Sequence, residues 1–338
     1  MTGLVLCCLG HVLVLYRRPE EAVAAHREAL QLCRDYGAAE DVCRSCLIFS
    51  SDLSQCSRYD EAERLAADGI AFAVKTGHMN FYGIGIASNR IGALLKAGRW
   101  REAERVYSQF DDRVPETVTW RHGPWLYVLL GQGRVREARA IVDVLREDTA
   151  DADVQFGAEM LVRAGELADL EERWDQARDL FRRGLELSRG TDDHYFTSQA
   201  CASGIRVERR RIESTAGPRG AGAEIQRARQ VADQLIARAR DLAARFPTNG
   251  FALLPEPAAW LQTAEGEYAA VWGQDTAEIW ADLAATGERV GQPYPVAVAH
   301  YREADALLRH HGDRGRARHC ADAALDVAER LGAGPTEG

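Results

Sequence analysis

The stretch Arg58-Tyr59-Asp60-Glu61-Ala62 recurs along the chain, and its recurrence decides the fold. Versions of it stand at Arg18-Pro19-Glu20-Glu21-Ala22, Arg99-Trp100-Arg101-Glu102-Ala103, Arg134-Val135-Arg136-Glu137-Ala138 and Arg173-Trp174-Asp175-Gln176-Ala177. Weaker copies end at Ala277 and Ala317. The alanines are 40, 41, 35 and 39 residues apart up to Ala177, and 40 apart in the last pair. A period of that size is one supersecondary unit repeated. The phrase ends one helix, turns, and begins the next with acids in the first turn, where the helix dipole favours negative charge. Its alanine is small because two helices approach closely there. Small residues also stand twelve positions before it (Gly10, Ser50, Gly165) and seven after it (Ala29, Gly69, Gly184, Ala324).

These spacings predict an all-α fold: tetratricopeptide-like helical hairpins, about eight units with a period near 40, stacked into a right-handed superhelical solenoid. Two helices of ~16 residues, each ~24 Å long, fit one period with short turns. Apolar residues in 61–74 and 317–331 recur at three- and four-residue spacing, as the buried face of a helix does. Hairpins of this kind bury their apolar faces only by stacking. Residues 1–190 read as five units. Residues 191–250 read as an irregular repeat with a long-helix insertion (Glu224–Arg245) and a Gly/Pro loop at 214–222. Residues 251–334 return to the repeat, and 335–338 form a tail.

With 338 residues, the chain exceeds what one ordinary compact core supports, and a repeat array needs no such core. A net charge of −9 argues against a general binder of nucleic acid or anionic membrane. The apolar run Leu4–Leu15 is followed by Arg17 and Arg18 without a small-residue cleavage site, so it reads as a buried repeat helix and not a secretory signal. No run reaches the ~18–20 apolar residues of a membrane span. The expected location is the cytoplasm.

From Trp260 onward, the phrases Ala277-Glu278-Ile279-Trp280, Gly291-Gln292-Pro293-Tyr294-Pro295 and Tyr301-Arg302-Glu303-Ala304-Asp305-Ala306-Leu307-Leu308 carry a resemblance. Gly312-Asp313-Arg314 and Ala328-Glu329-Arg330-Leu331-Gly332-Ala333-Gly334-Pro335 continue it, and Gly190–Tyr195 with Gly204–Glu208 resembles a more central portion. Together they resemble the C-terminal helical-repeat region of the large ATP-binding transcriptional regulators of the LuxR family. The resemblance implies a non-catalytic module that binds an inducer or a partner and signals to an ATPase and a DNA-reading helix-turn-helix. Neither effector is in this sequence: its two lysines, Lys75 and Lys96, lie in no phosphate loop, and it stops seven residues after Leu331. A stand-alone tetratricopeptide adaptor or peptide sensor is the alternative, and an enzyme on a helical scaffold a third.

Reactive constellations yield to plainer readings. Cys43 and Cys46 share a helical face, but Cys56 lies about 15 Å further along a continuous helix. With Cys33 they therefore read as buried cysteines, not as four thiolates on one metal. Tyr82-Gly83-Ile84-Gly85-Ile86-Ala87-Ser88 resembles a dinucleotide loop in its letters alone and reads as helix. Asp192-Asp193-His194 reads as a helix start, with Thr191 and Asp192 capping it. His310, His311, His319 and Cys320 read as residues flanking the last turn. The stretch Arg206 to Arg211 lacks interleaved aromatics and reads as a solvated or contact face. No metal or cofactor is expected.

In such arrays, ligands occupy the concave groove lined by the first helix of each pair. A tetratricopeptide frame puts Asn89, Arg90, Arg163, Glu166, Arg302 and Glu303 on that face. Arginines there could fork onto a carboxylate or phosphate, or all six could be spent on pairing across adjacent repeats. The expected partner is a protein, a peptide or a small inducer, with neither direct nucleic-acid nor membrane binding, and with homo-oligomerisation open.

Overall fold

The computed structural model describes residues 2–109, 119–145, 154–191, 194–215, 221–245 and 253–333. The Asp192-Asp193 helix start, most of the Gly/Pro loop at 214–222 and the 335–338 tail lie outside them. The chain divides into two compact units, Met1–Val128 with Pro247–Pro255, and Leu129–Phe246 with Glu256–Gly338. The sequence divisions at 190 and 250 do not coincide with that partition.

Among the described residues there are sixteen α-helices and no strand. The first unit holds α1 (Thr2–Leu15), α2 (Pro19–Tyr36), α3 (Ala39–Gln55), α4 (Tyr59–Thr76), α5 (Ile84–Lys96), α6 (Trp100–Gln109) and most of α7 (Thr119–Gly131). A π-helical turn, Met79–Gly83, leads into α5, so the Gly-rich letters at 82–88 are helical and form no phosphate loop. The second unit holds α8 (Val135–Leu145), α9 (Val154–Leu170), α10 (Trp174–Leu187), α11 (His194–Thr215) and α12 (Ala221–Ala244). It continues with α13 (Pro255–Val271), α14 (Ala277–Val290), α15 (Pro293–Arg309) and α16 (Arg314–Leu331). The pairs α1–α2, α3–α4, α9–α10, α11–α12 and α15–α16 pack as hairpins. α3 also packs on α1 and on α5, and α11 on α9, as stacked repeats require. The segment read from sequence as an insertion holds α11 and α12, which pair with each other as a hairpin of longer helices.

The repeated phrase has one geometry. The residue before it takes a left-handed conformation at Arg17, Ser57, Gly98, Gly133 and Glu172, and the same conformation returns at Gly273 and His311. The next amide reaches back to close the preceding helix: Arg58 N to Leu53 O at 2.9 Å, Arg99 N to Leu94 O and Arg134 N to Leu129 O at 2.8 Å. This is the Schellman closure. The arginine then starts the second helix, and its guanidinium forks onto the glutamate three residues on. Arg99 reaches Glu102 at 2.7 Å through both Nε and Nη2, and Arg134 reaches Glu137 at 2.6 Å. Where Gln176 replaces that glutamate, Arg173 turns back to Glu171 instead. The phrase alanines Ala22, Ala62, Ala103, Ala138 and Ala177 are all fully buried.

The small positions mark real close approaches. A Cβ on Gly165 would lie 2.8 Å from the Phe181 ring, and one on Gly69 would lie 2.9 Å from Cys46 Cβ. A Cβ on Gly10 would lie 2.6 Å from the His26 ring. That histidine is buried, stacks on Phe49 at 4.8 Å between ring centres, and hydrogen-bonds through Nε2 to Asp52 Oδ2 at 2.7 Å. Asp52, also buried, meets His11 Nδ1 at 2.8 Å with its other oxygen. Buried Asp52 thus joins buried His26 of α2 to exposed His11 of α1. Two buried tryptophans satisfy their N–H groups likewise, Trp100 on Leu95 O at 3.0 Å and Trp280 on Asp275 Oδ2 at 2.9 Å. One sequence expectation is modified: α1 buries Gly3, Cys7, Gly10 and Val14 but leaves Val5, Leu9 and Val12 exposed. No helix among the described residues is long and apolar enough to cross a membrane.

Candidate functional site

The six groove residues fall in both units. Asn89 and Arg90 of α5 belong to the first, where local partners hold them. Asn89 Nδ2 donates to Leu47 O at 2.8 Å and to Ser50 Oγ at 3.0 Å. Arg90 donates to Glu63 Oε1 at 2.9 Å through Nε and at 2.7 Å through Nη2. Both serve to join α5 to the hairpin before it.

The other four belong to the second unit, where α9, α11, α13 and α15 turn polar side chains towards one another. Arg163, only 5% exposed, donates to Glu166 Oε2 at 2.6 Å and to Gln199 Oε1 at 3.2 Å. Ser203 Oγ donates to the other oxygen of Glu166 at 3.0 Å. Arg210 Nη1 lies 2.8 Å from Asp169 Oδ1. Arg209 donates to Glu267 Oε2 and Glu213 Oε2, each at 2.6 Å. The chain of ion pairs reaches α15 through Arg302, whose guanidinium lies over the Trp280 ring at 4.8 Å and donates to Asp305 Oδ2 at 3.0 Å. Its Nη2 is 3.9 Å from Glu267 and 4.0 Å from Asp275, and neither Nη2 nor Nε has a hydrogen-bond partner. Burial accordingly pushes Arg302 below the ordinary guanidinium range, against the pull of Glu267. Burial also opposes the charge on Asp275, but hydrogen bonds from Arg309 and Trp280 prevail and hold that carboxyl below its usual range.

One cation of this network stands apart. Arg206 is 30% exposed, and its contacts are long: Nη2 lies 3.7 Å from Glu166 Oε1 and 3.5 Å from Ser203 Oγ, and Nε lies 3.6 Å from Asp169 Oδ2. Its surroundings desolvate it, but Asp169, Glu166 and Glu267 together raise its pKa above the ordinary value and keep it charged. Tyr294, at the start of α15, lies close enough that Arg206 counteracts the upward push burial gives its phenol. Arg163 and Glu166 thus meet short partners, whereas Arg206 has only long ones, and the sequence had read Arg206 as part of a solvated or contact face.

Glu303 belongs to a different cluster. It accepts from Arg316 Nε at 2.8 Å, with Arg316 Nη2 2.7 Å from the same oxygen, and it faces His300 and Cys320. His310, His311 and His319 stay exposed and do not join Cys320. Cys33, Cys43 and Cys46 are buried, and burial first of all pushes the Cys46 thiol up to about 12. Among the described residues, the four early cysteines form no metal-sized group of donor atoms. A separate pocket of about 250 Å³ opens between α8, α9 and α10, with Leu145, Met160 and Leu161 on one side and Gln176, Asp179 and Arg183 on the other.

Together these features define a helical-repeat protein with a network of buried and half-buried ion pairs in its second unit. A solved structure described as a circular tandem repeat protein with novel repeat topology and enhanced subunit contact surfaces is similar at 15% identity. That similarity spans 96% of this chain and 82% of the other, with a TM-score of 0.24, too low to bear on arrangement or function. No family model matches the chain, and no curated protein matches it.

Proposed function

We propose that the chain is a non-catalytic helical-repeat recognition module that takes a carboxylate-bearing peptide segment on the inner face of its second unit. Arg206 carries the proposal. An arginine already satisfied by short ion pairs offers nothing to a ligand; an accessible one held at 3.5–3.7 Å from its neighbours keeps its fork for an incoming carboxylate. The buried ion pairs around it fix the helices that present it, so binding requires little reordering. Tyr294 supplies an amphipathic wall beside it. The period near 40 and the left-handed turn of each hairpin fit tetratricopeptide-like units, and a cytoplasmic adaptor or peptide sensor is the corresponding role.

The LuxR-type regulator reading rests on the sequence phrases around Trp280 and Tyr301. It would add an ATPase and a DNA-binding domain as the parts that receive the signal. Reading the genomic DNA on both sides of the coding sequence for a phosphate-loop ATPase and a helix-turn-helix separates the two.

The binding proposal is tested by selecting displayed peptides on the full chain and measuring the best of them by calorimetry. A charge-assisted fork contributes about 1.5–3 kcal/mol, so Arg206→Ala should weaken binding by roughly 10- to 150-fold. Arg206→Lys should recover part of that loss, since a point charge replaces a planar fork. Unchanged affinity in Arg206→Ala would remove Arg206 from the site.

A further inference from the structure

The cluster around Glu303 lies apart from the recognition face and has a chemistry of its own. His300 and Glu303 stand three residues apart on α15, so they share a helical face, and Cys320 of α16 packs opposite them. One donor atom from each, an imidazole nitrogen, a carboxylate oxygen and the thiol sulfur, lies within 4.8 Å of the other two. His300 Nδ1 is buried and has no hydrogen-bond partner, at 3.5 Å from Glu303 Oε2. Arg316 binds Glu303 only through Oε1, which fixes the carboxylate and leaves Oε2 towards the histidine and the cysteine. The hairpin thus gathers a nitrogen, an oxygen and a sulfur donor, holds the carboxylate by a neighbour, and leaves one buried nitrogen unsatisfied.

We propose that His300, Glu303 and Cys320 form a binding site for a borderline divalent cation, Zn²⁺ in the first instance, with a fourth position open to water or to a donor from a partner. Mixed N, O and S donors suit Zn²⁺ and not Mg²⁺ or Ca²⁺, which take oxygen ligands. Around tetrahedral zinc, with bonds of about 2.0–2.3 Å, donor atoms lie about 3.6 Å apart, so the trio closes by roughly 1 Å on binding. That is a rotamer-scale movement within one hairpin. His300, 24% exposed, is the side from which the ion enters. On binding, the sulfur–metal bond replaces S–H and one proton leaves to solvent. Arg316 acts as a positioning residue, holding the ligand carboxylate from outside. The ion would staple α15 to α16, the last hairpin of the second unit.

The test uses the full chain and Co²⁺ as a spectroscopic substitute for Zn²⁺. One equivalent should produce a sulfur-to-metal charge-transfer band, which Zn²⁺ then abolishes. The band should vanish in Cys320→Ala and persist in Cys43→Ala and Cys46→Ala. His300→Gln should weaken Zn²⁺ binding at least tenfold, and Arg316→Gln by roughly 10- to 100-fold with all three ligands present. In the unmodified protein, calorimetry in buffers of different ionisation enthalpy should show about one proton released per Zn²⁺ at pH 7. That measurement stands even if Cys320→Ala fails to fold. Absence of the band, a band that survives Cys320→Ala, or binding without proton release would overturn the site.

Discussion

Arg178 of α10 and Glu208 of α11 join two consecutive hairpins, and removing the arginine tests how buried charge is held in this array. Glu208 is 1% exposed; Arg178 donates to its Oε1 through Nε at 2.8 Å and to its Oε2 through Nη2. Burial pushes the Glu208 carboxyl above the usual carboxylate range, with the Arg178 hydrogen bonds working in the opposite sense. In Arg178→Met the stem volume survives and the carboxylate loses its fork. The folded protein can avoid an unpaired buried charge by protonating Glu208. That route costs about 1.36 kcal/mol for each pH unit above the unfolded value near 4.3. The loss is therefore up to about 3.7 kcal/mol at pH 7 and about 1 kcal/mol at pH 5. The sign follows from linkage: a carboxyl whose folded pKa is raised destabilises above its unfolded pKa, and the penalty is relieved as pH falls through the folded value. Arg211, whose charge also favours the ionised Glu208, remains in the variant and makes these upper figures. Urea unfolding of variant and wild type at matched pH from 5 to 7.5 gives the difference directly. Arg178→Met with Glu208→Gln should show a pH-independent difference. A loss in the single variant that is flat across the range would refute the reasoning.

Two other perturbations separate packing from surface charge. Gly10→Ala places a methyl 2.6 Å from the His26 ring and should destabilise by about 1–3 kcal/mol in thermal or urea unfolding. Arg134→Ala breaks a well-formed fork onto Glu137 at the surface and should change stability by less than about 1 kcal/mol by the same measurement.

The turn of each hairpin was legible because its chemistry is local. An arginine, an acid three residues later and an alanine describe a start of helix whatever lies around them, and the small residues at fixed offsets from Ala22, Ala62 and Ala177 located the helix contacts. The inner face of the second unit was not, because it depends on which residues of α11 turn inward. At 22 and 24 residues, α11 and α12 break the period of the repeat, so Arg206 had no frame to be placed in. Frame placement put Arg163 and Arg302 on the groove face with pairing across repeats as the alternative, but their burial comes from contacts with α11, α13 and α14 that spacing does not encode. The buried Asp52 draws one histidine from α1 and another from α2, and Cys320 meets a histidine twenty positions upstream rather than those beside it. Such encounters are made by the pairing of helices, not by sequence neighbours.

The central claim, that the second unit presents an available guanidinium to a carboxylate, is tested most directly by changing the ligand. A peptide selected on the full chain is prepared with its anchoring carboxylate intact and with that group as the neutral amide, and both are titrated into the wild type, Arg206→Ala and Arg302→Met. The account predicts that amidation costs the wild type and Arg302→Met at least about tenfold in affinity, and that Arg206→Ala binds both forms equally. Equal affinity of acid and amide for the wild type, or discrimination that survives in Arg206→Ala, would contradict it.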